Sequence, residues 1–447
     1  MVGDAEDRLS VRTIAAIATP PGRGGVGVVR ISGPRALAVG RAVCGRSSLE
    51  PRHCHFTTFR DGQGRALDQG LSIYFPGPAS FTGEDVVELH GHGGPAVLQS
   101  LLNAVLEEGA EMAGPGEFTR RAFLNDRMDL TQAEAVAELI EADSTAAARA
   151  AMRSLEGEFG RLVEELAQEL VNLRIFVEGS LDFPDEDVDF LEEGRIRERL
   201  EGLVDRFARL RRRAASGVRL FEGFLVVLAG RPNAGKSSLL NRLAGRESAI
   251  VTERAGTTRD ILRETVTIAG FPVELADTAG LRETEDLVER EGVRRARDLV
   301  ERADLVVFLV DAQAGWTAED AAEWERLPAD RRLIVWTKAD LATPPESANA
   351  ISASGDPGIG ALEDTLRGRL NVEGGGDALG ARKRHLEILD RVGADLEAAY
   401  GTLEGYGSGD LVAQDLRRAH EGLGEITGRL HSDDLLGRIF ATFCIGK

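Results

Sequence analysis

Apolar and polar positions alternate with different periods in different parts of the chain. Near the start, 26–31 and 86–89 are short apolar runs that predict strands, and the glycine-rich segments 20–27 and 90–94 predict turns. Residues from about 10 to 122 are therefore expected to form one compact domain of mixed helices and strands.

From about residue 123 to 216 the pattern becomes helical. Ala, Glu, Leu and Arg dominate, as in 133–140, and apolar residues recur at helical spacing. Long helices packed in a bundle are predicted here, with an acidic turn at 183–187. Residues from about 380 to 443 are helical again, so the two helical stretches are expected to pack together as one discontinuous domain.

The region between the two helical stretches is predicted to alternate between buried strands and helices. A buried strand is predicted at 224–228, the start of an amphipathic helix at 238–243, and further strands at 273–276, 305–310 and 333–336. The glycine-rich segment 371–376 predicts a flexible boundary. The predicted fold class is a multidomain α/β protein with domains at 1–122, at 123–218 together with 380–447, and at 219–379.

Composition limits the function classes. The chain has 447 residues, too many for one core, and 43% hydrophobic residues, which is typical of a globular protein. Because its net charge is −20, the protein as a whole does not attract nucleic acid or an anionic membrane electrostatically. Three cysteines argue against a disulfide framework, and no apolar run approaches the roughly 18 residues that would span a bilayer. A cytoplasmic protein without a membrane segment is expected.

The predicted strand 224–228 and the helix that follows it enclose the sequence GRPNAGKS at 230–237. This sequence fits the phosphate-binding loop pattern G-x-x-x-x-G-K-[ST] in its proper strand–loop–helix context. Backbone N–H groups and the helix dipole make such a loop an anion site. The chain is therefore predicted to bind a nucleoside triphosphate.

Three later segments predict that the base is guanine. Asp277 begins DTAG at a strand end, where a carboxylate can hold Mg²⁺ through water and Gly280 can meet the γ-phosphate. In TKAD at 337–340, Asp340 can accept hydrogen bonds from both guanine N–H donors, and SAS at 352–354 suits the guanine O6 side. Thr337 stands where Asn is usual, so altered affinity is expected.

The residue after DTAG is Leu281, where regulatory GTPases carry a Gln that orients the attacking water. Either the domain hydrolyses GTP poorly or other groups supply the charge and orient the water. Oxygens of Asn233 and of the segment 252–260 could hold a monovalent cation against the phosphates. Alternatively, Asn233 only fills the loop and the segment is only a turn.

With these motifs in place, the chain resembles the potassium-activated tRNA modification GTPases of the MnmE (TrmE) family along nearly its whole length. The motifs that carry the resemblance are ATPPGRGGVGVVRISG at 18–33, FTGED at 81–85, GEFTRRAFLND at 116–126, DLTQAEA at 129–135, GRPNAGKSSLLN at 230–241, AGTTRD at 255–260, DTAGLRE at 277–283 and CIGK at 444–447. The motifs near the two ends are the specific ones.

The resemblance implies site residues in the GTPase domain. It implies K⁺ ligation by Asn233, Thr252, the backbone of Arg254 and Thr257, and Mg²⁺ ligation by Ser237 and Thr258. Glu289 would orient the hydrolytic water, with Glu285 or Glu283 as the backup, and Lys236 is the catalytic lysine of the loop. The GTP-binding residues so implied are Asn233, Ala234, Gly235, Lys236, Ser237, Ser238, Thr252, Glu253, Arg254, Ala255, Gly256, Thr257, Thr258, Asp277, Thr278, Ala279, Gly280, Thr337, Lys338, Asp340, Ser352, Ala353 and Ser354.

The resemblance also implies a folate-binding-like N-terminal domain that dimerises. The matching residues are Arg30, Glu88, Arg127 and Lys447, which would bind 5,10-methylenetetrahydrofolate or 5-formyltetrahydrofolate. Arg127 stands where Lys is frequent, which keeps the charge and changes the geometry. Each residue alone is equally typical of a surface ion pair. Cys444 is either a reactive thiol near the folate or a buried structural cysteine.

The function implied is a homodimeric GTPase that works with an FAD-dependent partner protein in a heterotetramer. Together they would install an (carboxymethyl)aminomethyl group at C5 of the wobble uridine of certain tRNAs, with GTP hydrolysis closing and reopening the GTPase domains. Two alternatives stay open: a GTP switch that binds ribosomal RNA, and a folate-dependent transferase that needs no flavoprotein. The basic runs 211–213 and 382–384 are either RNA contacts or solvated helix ends.

Overall fold

The computed structural model describes most of the chain. The described residues are 12–182, 193–244, 263–268, 270–277, 287–345, 349–350, 357–370, 377–405, 409–429 and 433–446. They divide between two compact units. The first unit takes residues from Met1–Ala137, Gly160–Pro184 and Gly409–Lys447, and the second takes residues from Glu138–Phe159 and Asp185–Ser408.

The structure contains both strands and helices in the described residues. The strands are β1 (Ile14–Ile17), β2 (Gly24–Ser32), β3 (His55–Arg60), β4 (Ala66–Phe75), β5 (Val86–Gly93), β6 (Glu111–Met112), β7 (Phe224–Ala229), β8 (Arg263–Ile268), β9 (Phe271–Asp277), β10 (Leu305–Asp311), β11 (Arg332–Thr337) and β12 (Asn349–Ala350). The helices are α1 (Ala36–Cys44), α2 (Pro95–Glu107), α3 (Glu117–Leu124), α4 (Leu130–Glu141), α5 (Thr145–Leu155), α6 (Glu158–Asp182), α7 (Glu193–Glu222), α8 (Lys236–Ala244), α9 (Leu287–Arg302), α10 (Ala318–Glu325), α11 (Pro357–Arg369), α12 (Lys383–Gly405), α13 (Gly409–Thr427) and α14 (Asp433–Phe440). No helix among these described residues is long and apolar enough to cross a membrane.

The sheet of the first unit has the strand order β3-β4-β5-β2-β1-β6. Its pairs are antiparallel, except that β1 and β6 run parallel. Alternate residues such as Val29, Ile31 and Leu89 are fully buried against α1 and α2, in one hydrophobic core. The residues between them, which include Arg30 and Glu88, therefore lie on the opposite face of the sheet.

Both strands predicted in this unit are confirmed by β2 and β5, but the predicted turn at 90–94 is wrong. Residues 90–93 belong to β5 and pair with β2 and β4. The glycines are needed there for close approach. A Cβ on Gly91 would lie 2.6 Å from a carboxylate oxygen of Asp68, and one on Gly93 would lie 2.7 Å from the carbonyl oxygen of Gly24. The predicted turn at 20–27 likewise ends early, because β2 begins at Gly24.

A second core in the first unit joins distant parts of the chain. Leu130 and Ala133 of α4 pack with Leu436 and Phe440 of α14 and with Phe443. Gly446 then lies against the end of β1: a Cβ there would be 2.3 Å from the carbonyl oxygen of Ile17, and its φ is +98°. The last described residues are therefore packed on the N-terminal sheet.

The second unit contains a sheet with the strand order β12-β11-β10-β7-β9-β8. All its pairs are parallel except the hairpin of β8 and β9. Apolar cores lie on both faces, which explains why β7 and β10 are nearly continuous apolar runs. The four strands predicted in this region are confirmed as β7, β9, β10 and β11, and the predicted helix start is confirmed as α8.

Helices before and after this sheet also pack together within the second unit. The Tyr400 hydroxyl of α12 donates to Glu201 of α7 at 3.0 Å, and Arg211 of α7 pairs with Asp390 of α12 at 2.6 Å. The Ser154 hydroxyl at the end of α5 donates to the carbonyl oxygen of Gly380 at 2.9 Å. The acidic turn predicted at 183–187 and the boundary predicted at 371–376 lie outside the described residues. The predicted domain limits stay predictions.

Candidate functional site

The phosphate loop follows β7 and ends at the first residue of α8, as its sequence predicts. Asn233 has the left-handed φ of +65° and is exposed. The buried Lys236 ammonium donates to the carbonyl oxygens of Gly230 at 2.6 Å and of Arg231 at 3.0 Å. The loop thus closes around a cation at a helix N-terminus, which is the arrangement that binds phosphate groups.

A second link holds the beginning of this loop. The Arg231 guanidinium Nε donates to the Asp320 carboxylate at 2.8 Å, and the Asp320 side chain is 1% exposed. Asp320 belongs to the capping box that starts α10, in which its carboxylate also accepts from the backbone N–H and the hydroxyl of Thr317. The phosphate loop is therefore tied to the helix that follows β10.

The candidate guanine motif begins at the end of β11. The buried Thr337 hydroxyl lies 2.8 Å from the carbonyl oxygen of Ala234 and 3.2 Å from that of Val310. Thr337 therefore hydrogen-bonds to the phosphate loop although it stands in place of the usual Asn. Asp340 is exposed at the turn after the strand.

Lys338 is positioned by a neighbouring strand end. Its ammonium lies 2.6 Å from the Asp311 carboxylate at the end of β10, and its φ is +57°. Burial alone would raise the pKa of Asp311, but the hydrogen bonds from Lys338 and from the backbone of Gln313 outweigh it and hold that pKa below its usual value. Asp311 therefore stays ionised and keeps Lys338 in place.

Several sequence-predicted positions of the nucleotide site are not described structurally. Asp277 ends β9 and Glu289 lies in α9, but their side chains are outside the description. Ser237 and Ser238 are described and are exposed at the start of α8. The positions outside the described residues are Thr252, Glu253, Arg254, Ala255, Gly256, Thr257, Thr258, Thr278, Ala279, Gly280, Leu281, Glu283, Glu285, Ser352, Ala353 and Ser354.

In the first unit, Arg30 and Glu88 are directly opposite each other on β2 and β5. Arg30 donates to one Glu88 oxygen, with Nη2 at 2.9 Å, and His90 Nε2 lies 3.0 Å from the other oxygen. The hydrogen bond from His90 and the Arg30 charge hold the pKa of Glu88 below its usual range against the effect of burial. The site thus presents a fixed carboxylate between the Arg30 guanidinium and the His90 imidazole.

Two aromatic rings lie near the Arg30 guanidinium of this pair. The Arg30 guanidinium lies 5.3 Å from the ring centre of Phe81 and 5.8 Å from that of Phe118. Arg30 is therefore held by a carboxylate on one side and by apolar ring faces on the others. The partly exposed Glu88 carboxylate offers an acceptor to a ligand with N–H donors, whereas Phe118 is fully buried and offers no open ring face.

The other sequence-predicted residues of this site lie on neighbouring segments. Arg127 is exposed, and its side chain lies beside Gly83, two residues after Phe81. A Cβ on Gly83 would lie 3.3 Å from the Cγ of Arg127. Cys444 is exposed, so the alternative of a buried structural cysteine is wrong. Its carbonyl oxygen accepts a 3.4 Å hydrogen bond from the Gly116 N–H. Lys447 lies outside the described residues.

The basic runs have acidic partners within the second unit. Arg211 pairs with Asp390, and Arg213 lies 2.6 Å from Glu158. These residues are inside α7 rather than at its end, so the alternative of solvated helix ends is wrong for 211–213. Two of the three arginines in this run are therefore paired with carboxylates of the same unit.

Sequence reasoning missed the residues that hold others in place. His90, Phe81 and Phe118 surround Arg30 and Glu88, while Arg231, Asp320 and Asp311 fix the nucleotide loops. Only His90 had a sequence signal, because it is two positions after Glu88 on a strand and so shares its face. The remaining contacts join residues far apart in the sequence.

A phosphate loop at one strand end, joined by a buried hydrogen bond to a TKAD motif at another, defines a guanine-nucleotide-binding domain of the Ras-like α/β type. Residues 130–444 match the family described as MnmE helical domain, and residues 13–127 match the GTP-binding protein TrmE N-terminus. Two similar proteins are the tRNA modification GTPases MnmE of Pseudomonas paraeruginosa, 51% identical over 98% of this chain and 99% of that protein, and of Pseudomonas putida, 50% identical over 97% and 99%.

Among solved structures, Aquifex aeolicus Era bound to GDP.AlF4- is similar over 38% of this chain and 66% of that chain, with 23% identity and a TM-score of 0.28. On the family matches and the full-length relatives, the chain belongs to the MnmE (TrmE) family of tRNA modification GTPases. It is a multidomain enzyme that hydrolyses GTP, and its fold class is the predicted one.

Proposed function

We propose that this protein is a K⁺-activated GTPase that modifies tRNA together with an FAD-dependent partner protein. In the proposal, two copies of the chain and the partner form a heterotetramer in the cytoplasm. It adds an (carboxymethyl)aminomethyl group to C5 of the wobble uridine of certain tRNAs. The observation that carries the proposal is that one chain joins a TrmE-type N-terminal region at 13–127 to a phosphate loop that contains Asn233.

The phosphate loop supports the nucleotide part of the proposal. Lys236 is already held at the helix N-terminus by two loop carbonyl groups, so the loop needs little rearrangement to receive a phosphate chain. Asn233 is exposed on the same loop, and its amide oxygen is a ligand type that suits hard cations. In the proposal Asn233, Thr252, Arg254 and Thr257 hold K⁺, Ser237 and Thr258 hold Mg²⁺, and Glu289 orients water.

The first unit supports a folate site in the proposal. The Glu88 carboxylate would accept hydrogen bonds from the pterin, and Phe81 would border its ring, while Arg127, Lys447 and Arg30 supply positive charge. A tetrahydrofolate derivative would supply the one-carbon unit when bound. The chain's own residues fix its orientation, and Cys444 is exposed on the segment that reaches the same sheet.

The decisive test is GTP hydrolysis in KCl and in NaCl at equal ionic strength, with Asn233→Ala alongside. The proposal expects a rate far higher in K⁺ than in Na⁺, and loss of that difference in the variant. Equal rates in the two salts would remove K⁺ activation and favour a GTP switch that binds ribosomal RNA.

Folate and partner roles need separate assays. Titration calorimetry with 5-formyltetrahydrofolate should show binding that Glu88→Gln weakens, while the exposed Glu111→Gln serves as control. Nucleoside mass spectrometry of tRNA incubated with and without the flavoprotein then tests the partner. Product formed without the flavoprotein would favour the stand-alone transferase.

A further inference from the structure

The start of the phosphate loop carries a charge that the loop itself does not use. Arg231 offers its backbone carbonyl oxygen to Lys236 at 3.0 Å, but its side chain is directed to Asp320 at 2.8 Å. One residue thus connects the lysine of the loop to a buried carboxylate on another helix. The loop motif alone gives no reason for this connection.

Asp320 is a rigid anchor. It is the third residue of α10, its side chain is 1% exposed, and its second oxygen accepts from the Thr317 N–H at 2.9 Å and the Thr317 hydroxyl at 2.7 Å. The helix is fixed in turn by aromatic contacts: Trp324 near its end packs edge-on against Phe308 of β10 and lies under the Arg332 guanidinium at 4.4 Å. Motion of α10 relative to the sheet is therefore restricted.

The pair is electrically balanced. A carboxylate as buried as that of Asp320 needs a cation, and Arg231 provides it within the described residues. The Asp320 carboxylate therefore neutralises the Arg231 guanidinium, and the pair adds little positive potential at the phosphate site. Lys236, whose ammonium donates to the carbonyl oxygens of Gly230 and Arg231, remains the cation of the phosphate site.

We propose that Arg231 is a positioning residue of the GTPase, which acts through Asp320 and holds the loop 230–236 in its phosphate-binding conformation. It does not touch the phosphates. Its salt bridge fixes the position of the Arg231 carbonyl group, and this carbonyl group in turn fixes the Lys236 ammonium. The inference rests on GTP hydrolysis by this domain and is independent of the folate, K⁺ and partner roles.

The test is a thermodynamic cycle with Arg231→Met, Asp320→Asn and the double variant. Dissociation constants for fluorescent mant-GDP and mant-GTPγS are measured for each. Because the two residues act as one unit, each single variant is expected to weaken binding about tenfold, and the double variant to be no weaker than the singles within about twofold.

A direct phosphate contact by Arg231 would give a different result. Asp320→Asn would then leave affinity unchanged or raise it, because a cation is released toward the phosphates, while Arg231→Met alone would weaken binding. Losses that simply add in the double variant would also overturn the proposal. Steady-state hydrolysis gives a second readout: both single variants should raise KM about tenfold with kcat within about twofold, and a kcat that falls only in Arg231→Met overturns the proposal.

The matched control is the salt bridge between Arg219 and Asp304, which contacts the start of β7 rather than its end. Arg219 of α7 lies 2.8 Å from Asp304, and the Asp304 carboxylate accepts from the N–H of Leu225 at the start of β7, whereas the phosphate loop follows the end of that strand. Arg219→Met and Asp304→Asn should therefore leave nucleotide affinity unchanged. Thermal unfolding without nucleotide checks that each variant is folded. If Asp320→Asn does not fold, Asp320→Glu displaces the carboxylate by one methylene and must show the same loss of affinity.

Discussion

The hydroxyl of Thr337 lies 2.8 Å from the carbonyl oxygen of Ala234, 103 residues earlier in the chain. This contact joins the first residue of the guanine motif to the phosphate loop. A Thr replaces the usual Asn here, yet its hydroxyl donor still reaches the loop. The two ends of the nucleotide site are therefore held at a fixed separation by one buried hydrogen bond.

Thr337→Val should weaken nucleotide binding. Valine keeps the side-chain shape but leaves the Ala234 carbonyl group without this donor in a buried position. Leaving a buried polar group unpaired costs about 1–3 kcal/mol. Titration with mant-GDP should therefore show affinity reduced by about 5- to 150-fold.

Thr337→Ser is the control for this variant, because it retains the hydroxyl and removes only a methyl group. Its affinity should stay close to that of the unmodified protein. If the Val variant binds mant-GDP as tightly as the Ser variant, the hydrogen bond to Ala234 has no part in nucleotide binding.

Glu88→Gln should destabilise the protein in a pH-dependent manner. His90 and Arg30 hold the pKa of Glu88 below that of an unfolded glutamate, which is about 4.3. Ionised Glu88 therefore contributes stability that is fully present above that pH and is lost as the pH falls through the lowered pKa. Urea unfolding is measured from pH 7 to pH 3. At neutral pH the free energy of unfolding of Glu88→Gln should be about 1–3 kcal/mol lower than that of the unmodified protein, and this difference should narrow in acid.

The exposed Glu111 provides the comparison for this titration, since its side chain is 55% exposed in its pair with Arg12. Glu111→Gln should change stability by about 1 kcal/mol or less at any pH. A Glu88→Gln gap that stays constant down to pH 3 would contradict the assignment of its lowered pKa to the ionised contacts.

Arg121→Met should be among the most destabilising charge removals in the first unit. The Arg121 side chain is 2% exposed and lies 3.0 Å from Glu84 and 2.9 Å from Glu117. Its removal leaves two largely buried carboxylates without their cation, at a cost of about 3–5 kcal/mol. Arg12→Met, which breaks a half-exposed pair, should cost about 1 kcal/mol or less by the same urea unfolding. Equal losses for the two variants would show that burial does not set the strength of these pairs.

Gly91→Ala should destabilise the sheet of the first unit. The new methyl group would lie 2.6 Å from the Asp68 carboxylate, which accepts the His92 N–H at 2.7 Å, so the ladder must shift. Such overpacking costs about 1–3 kcal/mol. Gly25→Ala in β2 is the counterpart, because its methyl group would meet no atom within 4 Å. Thermal unfolding that ranks Gly25→Ala as the more harmful change would refute the close-approach explanation.

Periodicity and motif spacing predicted β2, β5, β7, β9, β10 and β11 correctly. In the second unit β7, β9, β10 and β11 follow from their apolar runs, whereas β8 with its sequence RETVTI was not predicted, and the phosphate loop follows from its position between a strand and a helix. The error at 90–94 has a physical cause: glycine is as suited to close approach between strands as to a turn, and sequence spacing does not distinguish the two.

The candidate sites could be predicted only in part. Arg30 and Glu88 were found through a resemblance, and strand register then explains why they meet. Asp320 could not be found, because its role depends on a contact with Arg231 that local pattern does not encode. Asp311 was missed for the same reason, since nothing near it in sequence indicates that Lys338 will be its partner.

The core formed by Leu130, Ala133, Leu436 and Phe440 has a consequence for synthesis. As the chain leaves the ribosome, Leu130 and Ala133 emerge long before the α14 residues that cover them, whereas β7 to β11 emerge as a nearly continuous block. The nucleotide-binding sheet is therefore able to form first. The first unit completes its packing only when α14 has been translated, so chains truncated before residue 433 should retain an exposed apolar surface on α4 and be targets for chaperones.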